Sequence, residues 1–228
     1  MMIIEVKSMV IERKNYIVEY DEDNSYIEEV CEYLDKRIDE ILKFFELKSL
    51  KNKRKIIIWN DLELYKKHIE QYYKYYDYMC ADTNDGNINI LSLEASHKTN
   101  EHSTMKLDEL KRNIIHEFVH ICQQDSEIEH IDNDVVWFWE ALATNLGNYE
   151  DFCRIDIDAS NEEINDFNSL VNNYFAAFTI GNYMLENYSH SQILEYIRYP
   201  RILLKDSYKI LNEVRDWNKK NVVSVNHR

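Results

Sequence analysis

Two histidines and a glutamate in the middle of the chain have the spacing of a metal site. The segment Asn113 to Gln124 reads NIIHEFVHICQQ, with His116 and His120 four residues apart. On a helix such residues lie one above the other on the same face, so both imidazoles can reach one metal ion, and zinc suits two imidazole nitrogens. Glu117 is rotated off that line and can address a water molecule beside the metal. The spacing predicts a zinc site with a general base next to it.

The residues around this motif indicate that the helix carrying it is buried. Apolar residues occupy several sides of it, namely Ile114, Ile115, Phe118, Val119 and Ile121, and the helix should run from Lys106 or Leu107 to Gln124. Burying two histidines and a glutamate without partners is costly, and a bound metal removes most of that cost. The alternative is a pair of core histidines whose hydrogen bonds are satisfied inside the protein.

A catalytic zinc site needs a third protein ligand and one position left open. The candidate is Glu140, in a second apolar helical segment, Val136 to Leu146, with the sequence VWFWEALATNL. A carboxylate among so many apolar residues is costly unless it is paired or bound to a metal. The alternative is a glutamate favoured by the helix dipole near the start of its helix. His130, in a polar loop, and Cys122, which points away from the histidine face, are weaker candidate ligands.

HEFVH followed by the glutamate of WFWEALA resembles the gluzincins, the thermolysin-like clan of zinc metallopeptidases, and is most similar to short peptidase MA-like domains. The resemblance implies that His116, His120 and Glu140 bind zinc and that Glu117 is the general base. Two positions depart from the family pattern. Ala141 stands where glycine is frequent, and Thr144 stands where some members have an aspartate that orients a histidine.

The same resemblance implies further site residues. A tyrosine near the start of a downstream helix, here Tyr174 to Leu185, donates a hydrogen bond to the oxyanion, which points to Tyr174 with Tyr183 as the runner-up. The segment Asn87 to Leu93 resembles the edge strand on which zinc peptidases hold an extended substrate, and an ordinary sheet edge is the alternative. The implied activity is hydrolysis of peptide bonds with Zn2+ as cofactor and a peptide or protein as substrate.

The expected fold is α+β and zincin-like, with a small mixed sheet and packed helices in residues 1–125 and a mainly helical lobe in residues 126–228, with zinc between the lobes. Only three glycines and one proline interrupt 228 residues, which favours helix. Alternating apolar and polar residues, or a short apolar run, predict strands, and apolar residues at helical spacing predict helices. The strands are Asn15 to Tyr20, Lys55 to Trp59 and Asn87 to Leu93, and the further helices are Ser25 to Leu47, Asp61 to Tyr76 and Asp206 to Lys219.

Three pairs of residues have the spacing of a capping box at a helix start. They are Ser25 with Glu28, Ser160 with Glu163, and Ser189 with Gln192, the last opening a helix that ends before Pro200.

Composition narrows the classes of partner and compartment. The net charge of −15 opposes binding to nucleic acid or to an anionic membrane. No segment is apolar over a membrane-spanning length and no signal peptide is recognisable, so a cytoplasmic location is expected. The scattered cysteines, Cys31, Cys80, Cys122 and Cys153, are expected to be free thiols, mostly buried. The alternative to an enzyme is a non-catalytic, zinc-stabilised interaction protein with a peptidase-like fold.

Overall fold

A computed structural model describes residues 8–21, 24–72, 79–129, 135–149 and 152–222, with side chains as far as 220. The chain divides into two compact units, Met1–Cys122 and Gln123–Arg228. The boundary falls inside one continuous helix, Leu107–Ser126. Among the described residues, no helix combines the length and apolarity needed to cross a membrane.

The first unit contains a five-stranded mixed sheet and the helices that follow its strands. In chain order its elements are β1 (Ser8–Glu12), β2 (Tyr16–Asp21), α1 (Ile27–Phe44), β3 (Arg54–Trp59), α2 (Leu62–Ile69), β4 (Ala81–Asp82), β5 (Ile88–Leu91), α3 (Leu93–Ser96) and the greater part of α4 (Leu107–Ser126). The strand order is β1-β2-β3-β5-β4. The central strands β2, β3 and β5 are parallel, whereas β1 and β4 run antiparallel to their neighbours. The α+β class and the mixed sheet are therefore confirmed.

The core of this unit explains why the central strands read as apolar runs. Val18, Ile56, Ile88 and Ile90 are fully buried. Burial alternates along β2 and β3, so one face of these strands packs in the core, whereas all four residues of β5 are buried. One side of α1 is apolar and buried along its length, from Ile27 to Leu42. That amphipathic stripe is what the helical spacing predicted.

One prediction about this sheet is wrong. Residues 88–91 were expected at an edge, but β5 lies between β3 and β4, and all four of its residues are buried. The edge strand at this end is β4, in which Ala81 and Asp82 pair with Ile90 and Asn89. A strand of two residues carries no alternating pattern, so the sequence offers no signal for it.

In the first unit, one predicted helix start agrees with the structure and another does not. The side chain of Asp61 accepts hydrogen bonds from the backbone N–H groups of Glu63 and Leu64, as an N-cap should. The capping box at Ser25 is wrong, because α1 begins at Ile27 and its N-cap, Tyr26, makes no side-chain cap. Glu28 instead pairs with Arg13. Helix α2 ends at Ile69, short of the predicted Tyr76, which lies outside the described residues.

All regular elements described in the second unit are helices. After the last residues of α4 come α5 (Val136–Leu146), α6 (Asn161–Asn165), a short 3-10 helix (Phe167–Ser169), α7 (Asn173–Asn187), α8 (His190–Arg198) and α9 (Pro200–Val222). Helix α5 has the predicted bounds. Helix α9 begins at Pro200, earlier than predicted, because proline suits the first turn of a helix, where its missing N–H has no partner to lose.

Both capping boxes predicted in this unit are present. Ser160 and Glu163 exchange side-chain to backbone hydrogen bonds at the start of α6, and Ser189 and Gln192 do so at the start of α8.

Helices α5 and α7 pack closely because Gly181 has no side chain. A Cβ atom at Gly181 would lie 2.1 Å from the Asn145 Nδ2 and 2.2 Å from the Ala141 carbonyl oxygen.

Candidate metal centre

Helix α4 holds the two motif histidines with their ring nitrogens facing each other. The Nε2 atoms of His116 and His120 are 3.1 Å apart, and the rings lie edge to face with centroids 4.8 Å apart. Two nitrogens bound to one tetrahedral zinc at the usual bond length stand about 3.3 Å apart. The spacing of the two rings therefore fits two ligands of the same ion.

The burial of α4 explains why these rings hold one orientation. The flanking residues Ile114, Ile115, Phe118, Val119 and Ile121 are at most 1% exposed. The helix is thus enclosed around much of its circumference, as its sequence predicted. His116 is itself buried at 6% exposure, whereas His120 and Glu117 are half-buried. A water molecule can therefore approach the side of α4 that carries Glu117.

Glu140 is the third member of the cluster. A ligand atom of His116, one of His120 and one of Glu140 lie within 4.8 Å of one another. Among the residues that the structure describes, the cluster has these three members. Two imidazoles and a carboxylate are the ligand set of a catalytic zinc site with one position open. His130, the alternative ligand, lies outside the described residues.

Local hydrogen bonds place Glu140. The Gln123 side-chain amide, in the last turns of α4, donates to the carbonyl oxygen of Trp139 at 3.0 Å, directly before Glu140. The Thr144 hydroxyl donates to the carbonyl oxygen of Glu140 at 2.7 Å. The hydroxyl of Thr144 is thus engaged with its own helix backbone, a common use of a buried threonine.

The two tyrosines considered for the oxyanion occupy different settings. Tyr174 lies in the first turn of α7 with 46% exposure. It is seven residues from Gly181, the residue packed against Ala141, which corresponds to about 10 Å along the helix axis. The Tyr183 hydroxyl donates to the Glu213 carboxylate at 3.2 Å. Tyr183 is therefore engaged with α9, and the role of Tyr174 stays a prediction.

Asn113 lies on the side of α4 that carries Glu117, and Cys80 contacts Asn113; the sequence marks neither residue as part of the site. The Asn113 amide, one turn before Glu117 on α4, donates to the Sγ atom of Cys80 at 3.4 Å. Burial raises the pKa of the Cys80 thiol to about 12, and the negative charge of Glu117 adds to the effect. No sequence motif links residues 80 and 113, so only the folded chain brings them together.

The four cysteines differ in exposure. All four cysteines are free thiols, as predicted, and Cys31 and Cys122 are buried, whereas Cys80 is partly exposed and Cys153 is exposed.

Comparison with known proteins finds no matching family model, no matching curated protein and no matching solved structure. The gluzincin relationship stays a prediction that rests on the two motifs.

Proposed function

We propose that this protein is a zinc-dependent metallopeptidase that hydrolyses peptide bonds. The observation that carries the proposal is the cluster of His116, His120 and Glu140, whose ligand atoms lie within 4.8 Å of one another. Its supports are the 3.1 Å separation of the histidine nitrogens and a glutamate directly after the first ligand. His116, His120 and Glu140 would hold the zinc, which would polarise the carbonyl of the scissile bond and lower the pKa of a water molecule to about 7.

Glu117 is the proposed general base. Its carboxylate takes a proton from the attacking water and later passes that proton to the leaving amine, so the same residue serves both halves of the reaction. It lies next in sequence to one ligand but faces a different side of α4, since successive helix residues are rotated by about 100°. A base in that position can reach a water molecule without competing for the metal.

The presence of Glu117 favours an enzyme over a zinc-stabilised interaction protein. A metal that only stabilises the fold needs ligands and no base beside them, and structural zinc sites are usually closed by four protein ligands. The substrate class that fits is a peptide or a protein. The net charge of −15 favours a neutral or basic substrate over an acidic one.

The test is cleavage of a peptide library by the zinc-loaded protein beside its Glu117→Gln variant. General acid–base catalysis contributes about 10²- to 10⁴-fold, so kcat should fall by that factor while bound zinc is unchanged. Glu63→Gln is the matched control, since the Glu63 side chain is 77% exposed on α2. In the same assay, Tyr174→Phe should lower kcat by about 10²- to 10³-fold if Tyr174 donates to the oxyanion.

Two outcomes would contradict the proposal in different ways. Hydrolysis that survives in Glu117→Gln would remove the proposed base. A zinc-loaded wild-type protein that cleaves no member of the library would favour the zinc-stabilised interaction protein instead.

A further inference from the structure

A cavity of about 460 Å³ lies inside the second unit. One wall is the irregular segment 155–159, here called the wall segment, and the other lining residues come from α6, the 3-10 helix, the turn after it and the start of α7. Its volume falls within the range of pockets that bind small molecules or side chains. The cavity therefore has room for an organic group.

Three side chains from neighbouring helices fix the wall segment. The Thr179 hydroxyl, on α7, accepts a hydrogen bond from the Ile155 backbone N–H at 3.0 Å. The Asn218 amide, on α9, donates to the Ile155 carbonyl oxygen at 2.5 Å. Arg215, also on α9, donates to the Ala159 carbonyl oxygen at 2.6 Å. The wall is thus held in place before a ligand arrives, which lowers the entropy cost of binding.

The lining of the cavity is acidic. Its carboxylates are those of Asp156, Asp158, Glu163 and Asp166, and the described lining residues include no lysine or arginine. Within the part of the chain that the structure describes, Asp158 and Asp166 form no ion pair and no side-chain hydrogen bond. Arg154, next to the wall segment, pairs with Glu186 instead. Two of the negative charges are therefore available to a cationic ligand.

The spacing of these carboxylates suits an organic cation better than a metal ion. Among the described residues, ligand atoms converge closely enough to hold a metal at His116, His120 and Glu140, and not in this cavity. A metal ion needs its oxygen ligands at about 2.0–2.6 Å. A guanidinium or ammonium group carries several N–H donors and can contact carboxylates that stand further apart.

Apolar side chains line the same cavity. They belong to Ile155, Ile157, Leu170, Val171 and Ala176. Val171 is 82% exposed, so it lies at the mouth of the cavity and presents apolar surface to the solvent. Lysine and arginine side chains combine an apolar stem with a charged head. One such side chain can therefore contact both kinds of lining at once.

We propose that this cavity binds a lysine or arginine side chain of a peptide or protein segment. The charged head lies beside Asp158 and Asp166, and the residues that flank it in the segment contact Val171 at the mouth. The net charge of −15 attracts a basic segment over longer distances. The inference goes beyond the proposed peptidase function and does not require it, since all lining residues belong to the second unit.

The first experiment is isothermal titration calorimetry with four capped pentapeptides. They differ only in the central residue, which is arginine, lysine, glutamine or glutamate, and leucine and alanine flank it on both sides. The protein is the full chain carrying Glu117→Gln, so that no peptide is consumed. The arginine and lysine peptides should bind about tenfold more tightly than the glutamine peptide, and the glutamate peptide should bind most weakly. This preference should shrink at about 1 M salt, where charges are strongly screened.

The second experiment places the peptide in the cavity. Asp158→Asn combined with Asp166→Asn should weaken binding of the arginine peptide by about five- to tenfold, the combined effect of two exposed charge contacts. The matched control is Glu195→Gln combined with Asp216→Asn, which removes two exposed carboxylates outside the cavity and should change the affinity by less than about twofold. Val171→Ser should weaken the arginine and glutamine peptides by a similar factor, because it removes an apolar contact that both peptides make.

Three outcomes would overturn the inference. They are equal binding of the four peptides, equal weakening in the cavity variant and in its control, and binding of calcium ions in the cavity without binding of any peptide. Melting curves of the variants verify that each one is folded. Because binding is measured without hydrolysis, failure here leaves the metallopeptidase proposal standing. A protein that binds the arginine peptide as expected but holds no zinc contradicts the proposed function alone.

Discussion

Among the described residues, histidines lie beside carboxylates in two places, and the two places are built differently. On α4 and α5, His116, His120 and Glu140 bring three ligand atoms within 4.8 Å of one another. In the sheet unit, the Nε2 of His68 lies 3.4 Å from the Oδ2 of Asp82, with side chains 13% and 0% exposed. In both places one group is buried, His116 or Asp82, and its partners are partly exposed. Burial alone therefore does not distinguish a candidate metal site from a histidine–carboxylate pair. The number of converging ligand atoms does.

The surroundings of the His68 and Asp82 pair explain its structural character. The His68 ring stacks on Trp59 with centroids 5.5 Å apart. The other oxygen of Asp82 accepts a hydrogen bond from the Asn84 backbone N–H at 3.0 Å. The pair therefore fastens α2 to the short edge strand β4. We expect it to stabilise the fold and to play no part in metal binding.

The largest expected effect comes from making one substitution in both places. His120→Ala should abolish hydrolysis and lower zinc affinity by orders of magnitude, because it removes one of three ligands. His68→Ala should leave zinc and activity intact and lower the free energy of unfolding by about 1–3 kcal/mol, since it leaves the Asp82 carboxylate buried without its partner. Zinc content, peptide cleavage and thermal melting report all three quantities. Zinc loss in His68→Ala, or full activity in His120→Ala, would reverse the assignment of the two places.

A smaller effect should follow from disturbing the helix contact behind Glu140. In Gly181→Ala, the added Cβ atom would overlap with the Ala141 carbonyl oxygen and the Asn145 amide. Overpacking of this kind costs about 1–3 kcal/mol, and zinc affinity should fall with it because Ala141 adjoins the ligand. The melting temperature should drop by roughly 2–4 °C for each kcal/mol. An unchanged melting temperature would show that α5 and α7 adjust freely.

The smallest effect concerns the pH dependence of stability at Asp82. Burial raises the pKa of this carboxyl above its ordinary value, so the folded state keeps the proton to a higher pH than the unfolded state does. The free energy of unfolding should therefore fall as pH rises above about 4. In Asp82→Asn this contribution is absent, so the variant should lose less stability than wild type as pH rises above about 4. Parallel melting curves for the two proteins over that range would contradict this interpretation.

The parts of the fold that could be predicted were those encoded by local patterns. The bounds of α5 and the capping boxes at Ser160 and Ser189 follow from neighbouring residues, and the structure has them as expected. The interior position of β5 and the cap of α1 depend on long-range pairing, with β4 in one case and between Glu28 and Arg13 in the other. Local patterns cannot report such contacts.

The candidate site likewise contains residues that local patterns identify and residues that only the folded chain brings together. The spacing of His116 and His120 is a local property of one helix, and an apolar segment marked Glu140 as costly to bury. Cys80 has no motif to identify it, because its relation to Glu117 exists only after the sheet edge has packed beside α4. Tyr174 was identified by family pattern alone, and the structure places it in the first turn of α7.

The most direct test of the central claim is the zinc content of purified wild type, Glu140→Ala and Asp82→Asn, measured by elemental analysis. Both substitutions remove a carboxylate, one from the cluster and one from the structural pair. We predict one zinc per chain in wild type and in Asp82→Asn, and loss or marked weakening of zinc binding in Glu140→Ala. A wild-type protein without zinc, or a Glu140→Ala protein that holds zinc as tightly as wild type, would contradict the three-ligand metal centre.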